Sequence, residues 1–170
     1  MPRNHQPVIE PATATDIDEL VECWLQLASE QRDHGSVVGV ESNRETIRDV
    51  LGAHRVSNGL LVARASDEIV GFATFAVETG SFELSVSRGL LSNLWVVPDR
   101  RDEGIGRRLL EAVEAELADR GVEVCQLEVL AANDAARRFY RRAGYEPRRV
   151  TMNRRLDSND ENDTPSKVDG

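Results

Sequence analysis

Residues 93–106, NLWVVPDRRDEGIG, run from an apolar β-type segment through Pro98-Asp99, which ends it, into a turn holding Gly104 and Gly106 at the start of a helix. The glycines let backbone approach a ligand without Cβ obstruction. The helix that follows points its unpaired N–H groups and positive dipole end at whatever sits there. Such a turn is an anion site suited to a pyrophosphate, and Arg100, Arg101, Arg107 and Arg108 surround it with positive charge, offsetting Asp102 and Glu103. A tight strand-to-helix connection that binds nothing has the same sequence pattern. No G-K-[ST] ending is present, which disfavours nucleoside triphosphate chemistry.

Working outward, Leu109, Leu110, Val113 and Leu117 recur at helical spacing up to Gly121. Residues 122–130 read as a buried strand, 133–143 as a helix closed by Gly144, and 145–156 as a strand pair broken near Arg148-Arg149. Upstream, 90–97 continues the quoted strand, 82–86 alternates apolar with polar, and 60–65 and 69–77 form a hairpin around Ser66-Asp67-Glu68. Before them, a short extended piece at 8–12 precedes Thr15-Asp16, a cap for a helix carrying Ile17, Leu20, Val21, Trp24, Leu25 and Ala28. A second helix spans about 43–53, opened by the capping-box pair Ser42 and Glu45. This order predicts an α+β domain of mostly antiparallel strands, in which a crossover helix joins a later parallel pair. Residues 157–170 contain five acids and one aliphatic residue and cannot bury enough surface to order themselves, so a disordered acidic tail is expected after a domain over 1–156.

A chain of 170 residues, 40% hydrophobic, suits one domain with a sizeable core. Its N-terminus has no signal-peptide pattern and no stretch approaches a membrane span, so a soluble cytoplasmic protein without a membrane partner is expected. Cys23 and Cys125 each sit in an apolar periodic segment and read as small core residues. His5, His34 and His54 have no metal-ligand spacing, and no metal is expected. A net charge of -9 weighs against nucleic acid as a partner. The 20 arginines beside the single Lys167 fit either adaptation to high salt or a genome rich in arginine codons.

The turn Arg101-Asp102-Glu103-Gly104-Ile105-Gly106 resembles the acetyl-CoA signature [QR]-x-x-G-x-[GA] of the GNAT superfamily. Asn133, Ala136, Phe139-Tyr140, Gly144-Tyr145 and Glu146-Pro147 are similar to that family's second block, and the likeness covers about residues 8–156. The resemblance implies a GNAT-type domain with a splayed, mostly antiparallel sheet of about six or seven strands flanked by about four helices. It implies that the amides of Arg101, Asp102, Glu103, Gly104, Ile105, Gly106 and Arg107 hold the coenzyme A pyrophosphate. Asn133 and Ala136 would meet the pantetheine arm, and a bulge would aim amides of Leu94, Trp95 and Val96 at the thioester. Asp102 departs from the glycine common at its position and places a carboxylate near the phosphates.

The expected activity is transfer of acetyl from acetyl-CoA to a primary amine by direct attack in a ternary complex. The family position of Tyr140 implies a general acid for the departing thiolate. Glu128, an ionisable residue on an otherwise apolar strand, is the candidate base, with a water chain as the other route for the proton. The run Leu127-Glu128-Val129 followed by Asn133 and Tyr140 also resembles the ribosomal-protein N-terminal acetyltransferases. Glu83 and Arg88 are candidates to line an acceptor pocket. The acceptor is a small-molecule or protein amine, and the protein a monomer or homodimer. The rival reading is a GNAT-fold module that binds acetyl-CoA without turnover.

Overall fold

The centre of the protein is set by Glu68–Val77, EIVGFATFAV, whose residues from Ile69 to Phe75 are all buried, as a strand covered on both faces must be. The computed structural model describes residues 6–36, 39, 41–79 and 86–156. In chain order these form β1 (Val8–Pro11), α1 (Ile17–Arg32), α2 (Arg44–Val56), β2 (Leu60–Ala65), β3 (Glu68–Val77), β4 (Arg88–Val96), α3 (Ile105–Asp119), β5 (Val124–Leu127) and α4 (Asp134–Arg142). Single 3-10 turns at Ala14–Asp16, Glu41–Asn43 and Pro98–Arg100 lead into α1, α2 and the α3 turn.

The sheet order is β1-β2-β3-β4-β5. All neighbours are antiparallel except β4 and β5, which run parallel and are joined by α3, the expected crossover. The β2–β3 hairpin closes with Ser66 in the left-handed region at φ 56. One sheet face packs Val62, Phe72 and Trp95 against Leu20, Val21, Ile47 and Leu51 of α1 and α2. The other packs Ala63, Ala73, Phe75 and Leu91 against Leu109, Leu110, Val113 and Leu117 of α3, and extends to Phe139, Tyr140 and Tyr145. Both cores are mostly aliphatic and fully desolvated at their centres, which is the main source of stability.

Several local expectations are corrected. The sheet has five strands among the described residues, fewer than six or seven. Of the strand expected at 82–86, residues 82–85 lie outside the described residues and Val86 is a bend. The strand expected at 122–130 is only four residues long and half-buried, because β4 stops pairing with it after Leu91↔Leu127. No strand forms at 145–156: Pro147 lacks an N–H to give, and every residue from 146 to 156 is exposed. Asp16 is the N-cap of α1, as expected, while Thr13 caps the 3-10 turn before it, its backbone N–H donating to Asp16 Oδ2 at 2.8 Å; α2 is preceded by Asn43 and not capped by Ser42.

Candidate active site

The site begins where the parallel pair separates. Thr74 pairs with Asn93 but Phe75 pairs with Leu91, so Ser92 is an extra residue that bulges β4 just past the last β4–β5 pair. From there β4 follows β3 and leaves β5, opening a gap. The Val97 N–H donates to the Val70 carbonyl at 2.9 Å, and strand alternation then turns the Trp95 and Asn93 amides toward β3 and the Leu94 and Val96 amides into the gap. At the bulge Asn93 Nδ2 donates to Oγ1 of the fully buried Thr74 at 2.7 Å, a polar tie that fixes the kink inside an apolar layer.

Beyond β4 the chain turns through Pro98–Arg100 and enters α3 with Gly104 at its N-cap, at φ 82 and without a side-chain cap. The first-turn amides of α3 therefore stay available for an anion. A Cβ on Gly106 would lie 3.6 Å from the Phe139 ring and 3.7 Å from Val96, so this glycine forms the floor between turn, strand and α4. Asp102 is exposed and left-handed at φ 63, a conformation that Asp tolerates better than most residues. The surrounding arginines are engaged: Arg100 with Glu103 at 2.6 Å, Arg107 with Glu111 at 2.9 Å, and Arg108 with the Pro7 carbonyl at 2.6 Å. Backbone amides, more than side chains, are what the turn offers a pyrophosphate.

Tyr140 stands on α4 in edge-on contact with Phe139, 5.1 Å between centroids, and Tyr145, 5.7 Å. Burial, with a smaller contribution from the neighbouring Cys125, pushes its phenol up to about 12. Tyr145 donates to Glu114 Oε1 at 2.8 Å, and its own phenol is raised by burial and by bonds to Cys125 and Glu114. Asn133 caps α4 by accepting the Ala136 N–H at 3.1 Å, leaving its amide NH₂ free of that bond. Glu128 lies one residue past β5 and is exposed, so the desolvation considered for it from sequence is not met in the protein alone. Arg88 pairs with Glu78 at 2.8 Å and reaches Gln126 Oε1 at 3.3 Å, while Glu83 lies outside the described residues. Burial holds the Cys23 thiol up at about 12 and also raises Cys125, so neither is a nucleophile in waiting. Among the described residues no His, Cys, Asp and Glu cluster could hold a metal ion.

The model of the Acetyltransferase (GNAT) family matches residues 18–145, most of the chain. The chain belongs to the GNAT acetyltransferase family. An uncharacterized N-acetyltransferase of Archaeoglobus fulgidus is 36% identical over 88 residues, 51% of this chain and 58% of that protein. The [ribosomal protein bS18]-alanine N-acetyltransferase of Escherichia coli K12 is 36% identical over 81 residues, 48% of this chain and 52% of that one. The chain thus spans about half the length of the curated relatives it matches. The F44R mutant of BH1408 from Bacillus halodurans superposes with TM-score 0.76 at 24% identity, over 88% of this chain and 99% of that one. The aminoglycoside N-acetyltransferase AAC(6')-Iy in complex with CoA does so with TM-score 0.73 at 17% identity, over 92% and 99%. These structures share the GNAT fold.

One residue of this GNAT site escaped the sequence reading. Glu30, near the end of α1, accepts two bonds from the Arg101 guanidinium at 2.9 and 2.7 Å and one from the Trp95 indole at 3.4 Å. Arg101 Nε in turn donates to the Val96 carbonyl at 3.0 Å. The signature arginine therefore straps the GNAT turn to β4 and α1. An open depression of about 520 Å³ lined by Ser57, Asn58, Glu116 and Arg120 lies elsewhere, at the opposite end of α3 from Gly104.

Proposed function

We propose that the protein transfers an acetyl group from acetyl-CoA to a primary amine, small-molecule or protein-borne, by direct attack in a ternary complex in the cytoplasm. The observation that carries this is the gap between β4 and β5, entered by the Leu94 and Val96 amides and closed at one end by the open N-terminus of α3. The amides of Arg101 to Arg107 bind the pyrophosphate at the open N-terminus of α3. Asn133 and Ala136 meet the pantetheine arm. Leu94 and Val96 donate to the thioester carbonyl and to the oxyanion that forms on attack, each donor of this kind being worth about 2.7–4 kcal/mol. Trp95, with its amide turned to β3, holds the strand through Phe72 and Glu30.

Glu128 takes a proton from the acceptor ammonium before attack, and Tyr140, protonated across the physiological range, gives its proton to the departing thiolate. The amine nitrogen gains the acetyl carbon, the carbon–sulfur bond breaks as the Tyr140 proton goes to sulfur, and the second proton of the nitrogen returns the tyrosinate to the phenol, so that a neutral amide and a neutral thiol leave and Glu128 releases its proton to solvent. The test is release of free thiol from acetyl-CoA with a panel of amines, beside calorimetry of acetyl-CoA binding to the wild type and Gly106→Glu. Thiol release with at least one amine and loss of binding in the variant are expected. Binding without turnover across the panel would make the chain an acetyl-CoA-binding module instead.

A further inference from the structure

Tyr140 stands on a helix that does not fix it by burial. α4 has only nine residues, none of them buried, and Phe139, Tyr140 and Ala143 meet the core as partly covered side chains. Among the described residues no hydrogen bond holds the Tyr140 hydroxyl. What holds its ring is Tyr145. The Tyr145 backbone N–H donates to the Tyr140 carbonyl at 3.0 Å, closing the end of α4 after Gly144 at φ 94, and the two rings meet edge-on with 5.7 Å between centroids.

Tyr145 is itself pinned from α3. Its hydroxyl donates to Oε1 of Glu114 at 2.8 Å, across 31 residues of sequence, and the Cys125 side chain bonds the same phenol. Glu114 lies half-buried near the middle of α3, the helix whose first turn faces the pyrophosphate site. The fully buried Leu109, Leu110 and Val113 secure that helix to the sheet. A phenol–carboxylate bond is among the stronger hydrogen bonds, and partial burial shields it from competing water. The bond therefore links the cofactor turn, through one rigid helix, to the ring beside the general acid. It also separates two phenols that stand side by side: the Tyr145 proton is committed to Glu114, and Tyr140 alone has one to give.

We infer that Tyr145 and Glu114 are positioning residues for the transfer: their bond sets where the Tyr140 hydroxyl stands relative to the thioester. This rests on the proposed role of Tyr140 as the acid. Tyr145→Phe, which keeps the ring, and Glu114→Ala should each lower kcat about five- to fiftyfold with the KM for acetyl-CoA within about twofold, the scale on which a displaced catalytic group loses rate. Glu114→Gln, whose amide oxygen still accepts from the phenol, should restore most of kcat. In a Tyr140→Phe background Tyr145→Phe should add no further loss, because the bond acts only through the missing hydroxyl. Hydrogen exchange, which needs no acceptor, should show α4 amides exchanging faster in Tyr145→Phe with α3 unchanged. Unchanged kcat in Tyr145→Phe, losses that multiply in the double variant, or α4 exchange equal to the wild type overturn the proposal. A lower melting temperature with kcat per folded molecule unchanged overturns it too and leaves the bond purely structural. Full activity in Tyr140→Phe strikes the acid itself, and this proposal with it, and is read on a different variant.

Discussion

Asp102 combines a left-handed φ of 63 with a carboxylate at the mouth of an anion-binding turn, two features that glycine would remove together. Asp102→Gly is expected to tighten acetyl-CoA about two- to fivefold by calorimetry, the effect of one exposed charge near a helix N-terminus, without loss of thermal stability. Weaker binding would mean that the side chain holds the turn. On the opposite side of the gap, Tyr140→Phe keeps the ring contacts with Phe139 and Tyr145 and removes only the hydroxyl. kcat should fall roughly 10²–10⁴-fold with acetyl-CoA affinity unchanged. Since burial raises this phenol to about 12, Tyr140 stays protonated, and an alkaline loss of activity below about pH 11 would belong to another group. Glu128→Gln should also lower kcat but recover in part at high pH, where more of the acceptor amine is already deprotonated. Equal losses at every pH would remove Glu128 as the base.

At the scale of elements, two carboxylates tie α1 to the sheet, and they make different predictions. Asp16 is buried, which alone would raise its carboxyl, but bonds from Thr13 and Arg64 outweigh burial and hold it below the ordinary 3.8. The unfolded chain therefore binds that proton more readily than the folded one, so the stability from Asp16 is present above about 3.8 and is lost as pH falls through its lower folded value. Asp16→Asn should cost about 1–3 kcal/mol in denaturant unfolding at pH 7 and flatten the acid limb of the stability profile. Glu30 joins α1 to the cofactor turn through Arg101 and to the bulged strand through Trp95. Glu30→Gln should raise the KM for acetyl-CoA about three- to tenfold with kcat within about twofold, as befits a partly exposed charged bond that positions the turn. A fall in kcat at unchanged KM would place Glu30 in the chemistry instead. These elements also divide what sequence could and could not convey. The β4 stop at Pro98, the glycine turn and the periodicity of α3 are local, so the turn was legible. The early end of β5 depends on where a distant strand bulges, and Glu30 lies 71 residues from Arg101, so neither leaves a local mark. Residues 145–156 show real strand alternation, but alternation does not supply a neighbour.

The whole molecule carries 30 acidic residues against 21 basic ones, a repulsion that folding concentrates into a smaller volume and that salt screens within about 10 Å at 0.1 M and about 3 Å at 1 M. Salt also weakens the ion pairs that hold particular places, such as Arg64 with Glu10 and Arg101 with Glu30. Exposed pairs are each worth about 0–1 kcal/mol, whereas every surplus negative charge interacts with all the others, so relief of repulsion should win. The melting temperature is expected to rise about 3–8 °C between roughly 20 mM and 0.5 M KCl, corresponding to about 2 kcal/mol for a chain of this size. Residues 157–170 contribute five acids and one lysine to that surplus and almost no apolar surface. Removing them should leave the high-salt melting temperature within about a degree and shrink the salt response by roughly half, because the charge is lost without any packing. A large drop at high salt would mean that the tail docks. The range above 0.5 M then separates the two origins of an arginine-rich, acidic composition. Charge screening is nearly complete there, so a plateau is what codon preference on an ordinary acidic protein produces, and a continued steep rise is what adaptation to high salt requires.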